Sequence, residues 1–230
     1  MGGITNVDRL ALPEPWRRPG MLDRETMLRQ QLPVNIAWWN AEITRLGLPG
    51  GPVSGETGTS ISRRFILDLN PDEPDADLRR LWHALAWGTG RKPRLGLKRL
   101  KAVAADVPAA RAALATAGAL AHHNPRDAYA TLQPGRRYTI NYLGSAFFTK
   151  FLYFCPGATV EKQAPILDDR VARALRDHGW ASLRTGGYWP AMTYERYCRL
   201  LTRWANEASA HQGRPVWPDE IERWLFGSAR

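Results

Sequence analysis

Cysteine is scarce in this chain. Two occur in 230 residues, Cys155 and Cys198, and neither stands at metal-ligand spacing. A structural zinc site takes four ligands and the common iron–sulfur clusters take four cysteines, so neither is expected. Nothing in the cysteine usage calls for an oxidising compartment. Long apolar runs are missing as well. No stretch reaches the length of a membrane span, and the N-terminus has no signal-peptide core. The expectation is a soluble, cytoplasmic, monomeric protein with no membrane contact. Internal repeats, low-complexity tracts and a linker clean enough to divide the chain are also lacking, so residues 1–230 read as a single domain. Acidic residues are the remaining shortage: 22 Asp and Glu stand against 32 Lys and Arg, a net charge of +10. Such a balance is the footprint of a polyanion binder. It does not separate DNA from RNA or from an anionic membrane surface.

What is abundant is apolar and aromatic. Hydrophobic residues make up 44% of the chain, enough for a sizeable core, and there are ten tryptophans. Their planes suit either a core or the stacking of unpaired bases. Residues 1–20, rich in Gly and Pro, read as an extended or loose arm with Trp16 as its one packing residue. Met21 to Leu46 reads as two helical pieces broken at Pro33, with Asp23 as a cap and Gly47 as the stop. Trp38 and Trp39 lie on the second piece. Pro49 to Thr59 is a loop, and the R-R-F-I-L-D-L-N that follows fits a short strand or an irregular connection. Pro74 to Trp87 is a helix with Leu78, Leu81, Trp82 and Leu85 on one face. Next comes the most basic stretch, R-K-P-R-L-G-L-K-R-L-K, whose Lys98 and Arg99 suit a phosphate backbone or an ordinary solvated face. Val107 to His122 is an alanine-rich packing helix. His122 and His123 point to different faces, make a poor metal pair, and read as charges at its C-terminal end. Asp127 to Leu132, Thr193 to Ala210 and Pro218 to Phe226 complete the helical segments, the last capped by Pro218 and Asp219. The fold class is all-α.

The most informative stretch is Tyr142 to Arg173. On a helix Phe147 and Phe154 share the face of Lys150, and Phe148, Phe151 and Leu152 cover most of the remaining circumference. A helix apolar nearly all round is buried, and lysine is seldom buried without a reason. Burial lowers the pKa of an ammonium, and a lysine so shifted can act as a nucleophile toward carbon. It can also snorkel to water or pair with a carboxylate for structure alone. Asp168 follows eighteen residues later at the start of a helix, Asp169 to His178, stopped by Gly179. A cap role suits Asp168, and a cap is held rigidly.

The stretch resembles the helix-hairpin-helix DNA glycosylase superfamily, in particular its bacterial 8-oxoguanine glycosylase branch, some members of which resemble phage-defence proteins. Leu143, Gly144 and Ala146 stand where that family has its hairpin, Lys150 its lysine, and Ile166-Leu167-Asp168 its aspartate segment. The hairpin proline of the family is absent, Ala146 replaces the second glycine, and Lys150 stands two residues later than usual. The resemblance implies a two-lobed helical architecture with a central cleft and a hairpin region at about 136–180. Arg137 to Tyr142 would be the first hairpin helix, and the amides of Leu143, Gly144, Ser145 and Ala146 would hold a phosphate. It implies double-stranded DNA with a modified base as partner and no cofactor. Lys150 would attack the sugar and Asp168, or its neighbour Asp169, would stabilise the charge that develops there. The excised base could be an oxidised purine or a bulkier phage base such as glucosylated hydroxymethylcytosine. Trp38, Trp39, Trp82 and Trp189 are the candidates for lining its pocket, against the plainer reading of core packing. Base release could proceed with strand nicking, or without it if Asp168 activates water. A non-catalytic helix-hairpin-helix module and an RNA-binding role are the rival readings.

Overall fold

A computed structural model describes residues 7–229. Among them the chain forms eleven α-helices: α1 (Arg24–Leu28), α2 (Ile36–Arg45), α3 (Arg63–Leu67), α4 (Ala76–Thr89), α5 (Gly96–Ala104), α6 (Val107–Leu120), α7 (Pro125–Leu132), α8 (Ser145–Phe154), α9 (Asp169–Asp177), α10 (Ala191–Gln212) and α11 (Pro218–Ser228). One antiparallel ribbon pairs β1 (Leu32–Pro33) with β2 (Ser60–Ile61). The all-α expectation holds.

Local chemistry sets most helix starts. Asp23, Asn35, Ser62, Asp106, Asn124 and Asp168 each accept a backbone N–H of the first turn with a side-chain oxygen. Proline stands in the first turn of α6, α7 and α11, where its missing N–H costs nothing. The segment R-R-F-I-L-D-L-N, open between strand and irregular chain in the sequence, is helix α3, because Ser62 caps Phe65 and starts a turn.

Helices α4 and α8 pack against each other at the centre. Leu78, Leu81, Trp82 and Leu85 of α4, and Phe148, Phe151 and Leu152 of α8, are completely buried. Each such side chain contributes roughly 1.5–3 kcal/mol. Tyr129 of α7 meets Phe148 edge-on at 4.7 Å, and Trp87 meets Phe154 in the same way at 5.5 Å. Around this pair α6 packs on α7, α7 on α10, and α11 on both α9 and α10.

Three expectations change. Arg137 to Tyr142 is not a helix. Gly135 and Tyr142 both take left-handed backbone angles, φ 62° and 63°, and the stretch is held by isolated turns. The helix that precedes the hairpin is therefore α7, with an irregular 133–144 between. His122 is not an exposed helix-end charge. It is buried, Ala164 N–H donates to its Nδ1 at 3.1 Å, and its Nε2 donates to Cys155 O at 2.8 Å. Burial pushes its pKa down. The described part of the N-terminal arm is tied down: Trp16 is buried, and Leu10 O accepts the Trp204 indole N–H at 3.0 Å. Residues 1–6 of that arm lie outside the described residues. Among those described, no helix is long and apolar enough to cross a membrane.

Candidate active site

Lys150 sits in the middle of α8, only 7% exposed. Its stem fits because α4 presents Gly88 there: a Cβ at that position would lie 2.8 Å from Lys150 Cδ. Nζ donates to Ala146 O at 2.7 Å and stands 3.6 Å from Asp168 Oδ2. Burial pulls the ammonium pKa below its ordinary value, and Asp168 and Glu222 restore part of the loss.

Asp168 is placed by an extended, buried segment whose backbone groups are held by four side chains, from α8, α10 and the turn after α6. Ala164 N–H goes to His122, Pro165 O accepts from Tyr194, Ile166 O from Tyr197, and Leu167 N–H donates to Thr149 Oγ1. Buried backbone outside helices must find such partners. Thr149 is the residue before Lys150, so the segment is fastened to α8 beside the amine. Asp168 then divides its carboxylate. Oδ1 accepts from Arg170 N and Val171 N and caps α9, leaving Oδ2 for Lys150. The cap reading and the charge-partner reading describe two oxygens of one group. Asp169 is engaged elsewhere, with Arg173 at 3.0 Å and Gly186 N–H.

The pair opens on a cavity of about 160 Å³. Trp87, Gly88, Ile166 and Glu222 line it with Lys150 and Asp168, and Met27, Gln30, Leu32, Arg63, Arg223 and Phe226 complete the wall. From its wall runs a second set of charges. Arg63 donates to Glu222 at 2.7 Å and Arg24 meets Asp219 at 2.9 Å. Tyr153 OH donates to Asp219 at 2.8 Å and lies with its ring 5.0 Å from the Arg63 guanidinium. Burial pushes the Glu222 carboxyl up, and Arg63 pulls it back toward ionisation. Arg63, Glu222, Trp87 and Gly88 were not singled out from the sequence, and Asp219 only as a helix cap. A signal existed for two of them: Asp219 and Glu222 stand one turn apart on a short helix, in a chain short of acid.

The other expected site residues divide. Leu143 and Ser145 are buried and Gly144 and Ala146 half-buried. Gly144 is the N-cap of α8, no side chain caps the helix, and Phe147 N–H turns back to Gly144 O at 2.8 Å. Lys98 is exposed. Arg99 is buried and takes Tyr142 O and Arg94 O with its guanidinium, so it does not face a phosphate backbone. None of the four proposed tryptophans lines the cavity. Trp39, Trp82 and Trp189 are core residues, and Trp38 packs over Gly96. The indoles of Trp82 and Trp189 donate to Pro49 O and Arg184 O. Trp87, at the C-terminal end of α4, is the tryptophan of the cavity. No group of three His, Cys, Asp or Glu among the described residues is gathered as a metal ion requires.

Compared with known protein families, residues 25–226 match the model described as "OGG: Putative 8-oxoguanine DNA glycosylase OGG-like protein". The chain belongs to this OGG-like DNA glycosylase family. Neither the curated proteins nor the solved structures gave a match. The matched span runs from just before Met27 to Phe226, so every residue of the cavity wall lies within it. Membership makes DNA the substrate class of this OGG-like protein.

Proposed function

We propose that the protein excises an oxidised purine from duplex DNA, with Lys150 as nucleophile and Asp168 as its electrostatic partner. The observation that carries this reading is the buried Lys150 amine 3.6 Å from Asp168 on the wall of a cavity. A base cannot be reached inside the stack, so it must be extruded. The neutral Lys150 amine then attacks the sugar C1′. The Nζ–C1′ bond forms, the glycosidic bond breaks, and its electron pair leaves with the base, which takes up a proton. Loss of a proton from nitrogen and opening of the sugar ring leave a Schiff base, from which elimination can nick the strand. Positive charge grows on the sugar as the base departs, and Asp168 Oδ2 is fixed where it would stabilise that charge. The lowered pKa supplies neutral amine at a pH where an exposed lysine has almost none.

The size of the cavity bears on the substrate. At about 160 Å³ it is smaller than the roughly 300–1,000 Å³ of drug-sized ligand clefts. A single ring system suits it better than a base carrying a sugar. The start of α8, which no side chain caps, and the exposed Lys98 support a grip on phosphates beside the extruded nucleotide.

Borohydride trapping on duplexes carrying single modified bases tests the proposal. A covalent adduct is expected with 8-oxoguanine, none with glucosylated hydroxymethylcytosine, and none in Lys150→Gln, whose base release should fall by at least about a thousandfold. The wild-type rate should rise with pH along one limb with its midpoint below the ordinary lysine value of 10.5, because only the deprotonated amine attacks. Full base release by a folded Lys150→Gln would remove Lys150 as nucleophile. Release without nicking would transfer the chemistry to a water activated by Asp168.

A further inference from the structure

His122 and His123, which the chemistry at Lys150 leaves unused, stand on the wall of a second cavity of about 410 Å³. Its other walls are the loop of Lys162 and Gln163 and one face of α10, where Arg199, Thr202, Arg203 and Asn206 recur at helical spacing. No residue of this wall lines the cavity of Lys150.

Cations dominate the new cavity. Lys162 and Arg199 are exposed, and Arg199 reaches Asp8 only at 4.0 Å. Arg203 is half-buried and held through Nη2 by Leu10 O at 2.6 Å and Val7 O at 3.5 Å, which leaves its Nε and Nη1 donors without a partner among the described residues. Glu161 is the one carboxylate of the wall. Two polar side chains of the wall, His122 and Gln163, are each only 4% exposed. Both ring nitrogens of His122 are engaged. Gln163 is engaged at one end: its Oε1 accepts Asp219 N–H at 2.9 Å. That bond fixes which end of the amide is the donor, and Nε2 has no partner among the described residues. A buried donor without a partner carries a desolvation cost that a bound acceptor removes. Three cations and a buried amide donor suit a phosphate, which takes charge-assisted hydrogen bonds. Inorganic phosphate would leave most of the volume empty. About 410 Å³ lies in the roughly 300–1,000 Å³ range of small-molecule sites, and Pro125 and Cys198 give the wall an apolar part.

We propose that this cavity is a second binding site, for a small organic phosphate of nucleoside monophosphate size, and that its occupancy steadies the segment carrying Asp168. Lys162, Arg199 and Arg203 take the phosphate, and Gln163 Nε2 donates to the ligand. The coupling follows from the chain. Gln163 begins the extended segment that ends at Asp168, at most about 17 Å on. Gln163 also holds Asp219 of α11, and His122 holds Ala164 of the same segment and Cys155 at the end of α8. The site does not depend on the glycosylase reading, and its test involves no base release.

Calorimetry on the full chain compares inorganic phosphate, deoxyadenosine monophosphate and deoxyadenosine. The monophosphate is expected to bind at least about tenfold more tightly than either of the others, and to raise the melting temperature. Lys162→Glu with Arg199→Glu alters two exposed side chains, so the fold should be kept, and affinity should fall by about a hundredfold. Gln163→Glu keeps the acceptor for Asp219 N–H, sets an anionic oxygen where the donor was, and should lose the ligand as well. Lys150→Gln should bind as wild type does. Hydrogen exchange at the Ala164 amide should slow when the monophosphate is bound. No binding of the monophosphate, or full binding by the folded double variant, would overturn the site. Loss of binding in Lys150→Gln alone would place the nucleotide in the catalytic cavity and overturn it equally. Phosphate binding as tight as the monophosphate would overturn the organic ligand, and unchanged exchange at saturation would overturn the coupling.

Discussion

At the cavity three cations meet three carboxylates: Lys150 with Asp168 and Arg63 with Glu222 on its wall, and Arg24 with Asp219 between α1 and α11. At the rim formed by α5 and the residues before α8, cations have no such partners among the described residues. Lys98 is exposed, and the one effect on the Arg99 pKa is burial, which lowers it to about 10. The floor is closed, with its carboxylates consumed by its own cations. The rim keeps its positive charge for something outside the chain. A reaction that needs a neutral amine is served by the burial that disfavours the ammonium, which Asp168 and Glu222 only partly oppose. A surface that grips a polyanion loses by any internal carboxylate. The same +10 chain therefore spends its few acids where chemistry would occur and withholds them where DNA would lie.

The contrast is broken most severely by removing a carboxylate from the floor. Glu222→Gln leaves the Arg63 guanidinium buried without its partner, at a cost of about 3–5 kcal/mol. Chemical denaturation should show this loss, and the double substitution Arg63→Met with Glu222→Met should recover most of it. Glu222 also helps to keep Lys150 charged. The pH at which the rate reaches half its plateau should therefore fall in Glu222→Gln. An unchanged stability would mean that the floor is not closed as described.

A smaller effect separates position from stability. In Gly88→Ala the new Cβ would meet Lys150 Cδ at 2.8 Å and Phe147 at 3.3 Å. The lysine stem is flexible and can move aside, and alanine favours helix over glycine by roughly 0.5–1 kcal/mol. The fold should be kept or slightly stabilised while the amine is displaced. A misplacement of about 1 Å can cost about a hundredfold in rate. The expected signature is lost turnover at normal melting temperature, with affinity for duplex DNA unchanged. Normal turnover would show that the amine need not lie against α4.

Much of the floor was legible and much of it was not, for physical reasons. Lys150 and Asp168 could be read because both signals are local: an amine in an apolar helix, and an acid at a helix start. Arg63 and Glu222 are 159 residues apart, and nothing in the surroundings of either names the other. Trp82 was proposed for the pocket although its periodicity with Leu78, Leu81 and Leu85 already placed it in the core. Trp87 lies five residues on, turned away from that stripe, and so reaches the cavity. Arg99 was misread although its position was legible: Gly96, Arg99, Leu100 and Val103 are the buried face of α5. An arginine on an apolar stripe is a buried arginine, however basic its neighbours. The irregular 133–144 was hidden because the family resemblance supplied a helix where Pro134-Gly135 and a left-handed Tyr142 prevent one.

That error sharpens the smallest prediction, which concerns two adjacent cations. Lys98 is exposed and Arg99 is buried, so only Lys98 can displace counterions from a DNA backbone. Lys98→Ala should reduce the slope of log affinity against log salt by about 0.9, the value for one phosphate contact on duplex DNA. Arg99→Lys should leave the slope alone, because the side chain at that position is held by Tyr142 O and Arg94 O. If both substitutions changed the slope alike, Arg99 would have to leave its two carbonyls on binding DNA. The rim would then be a rearranging surface instead of a preset one.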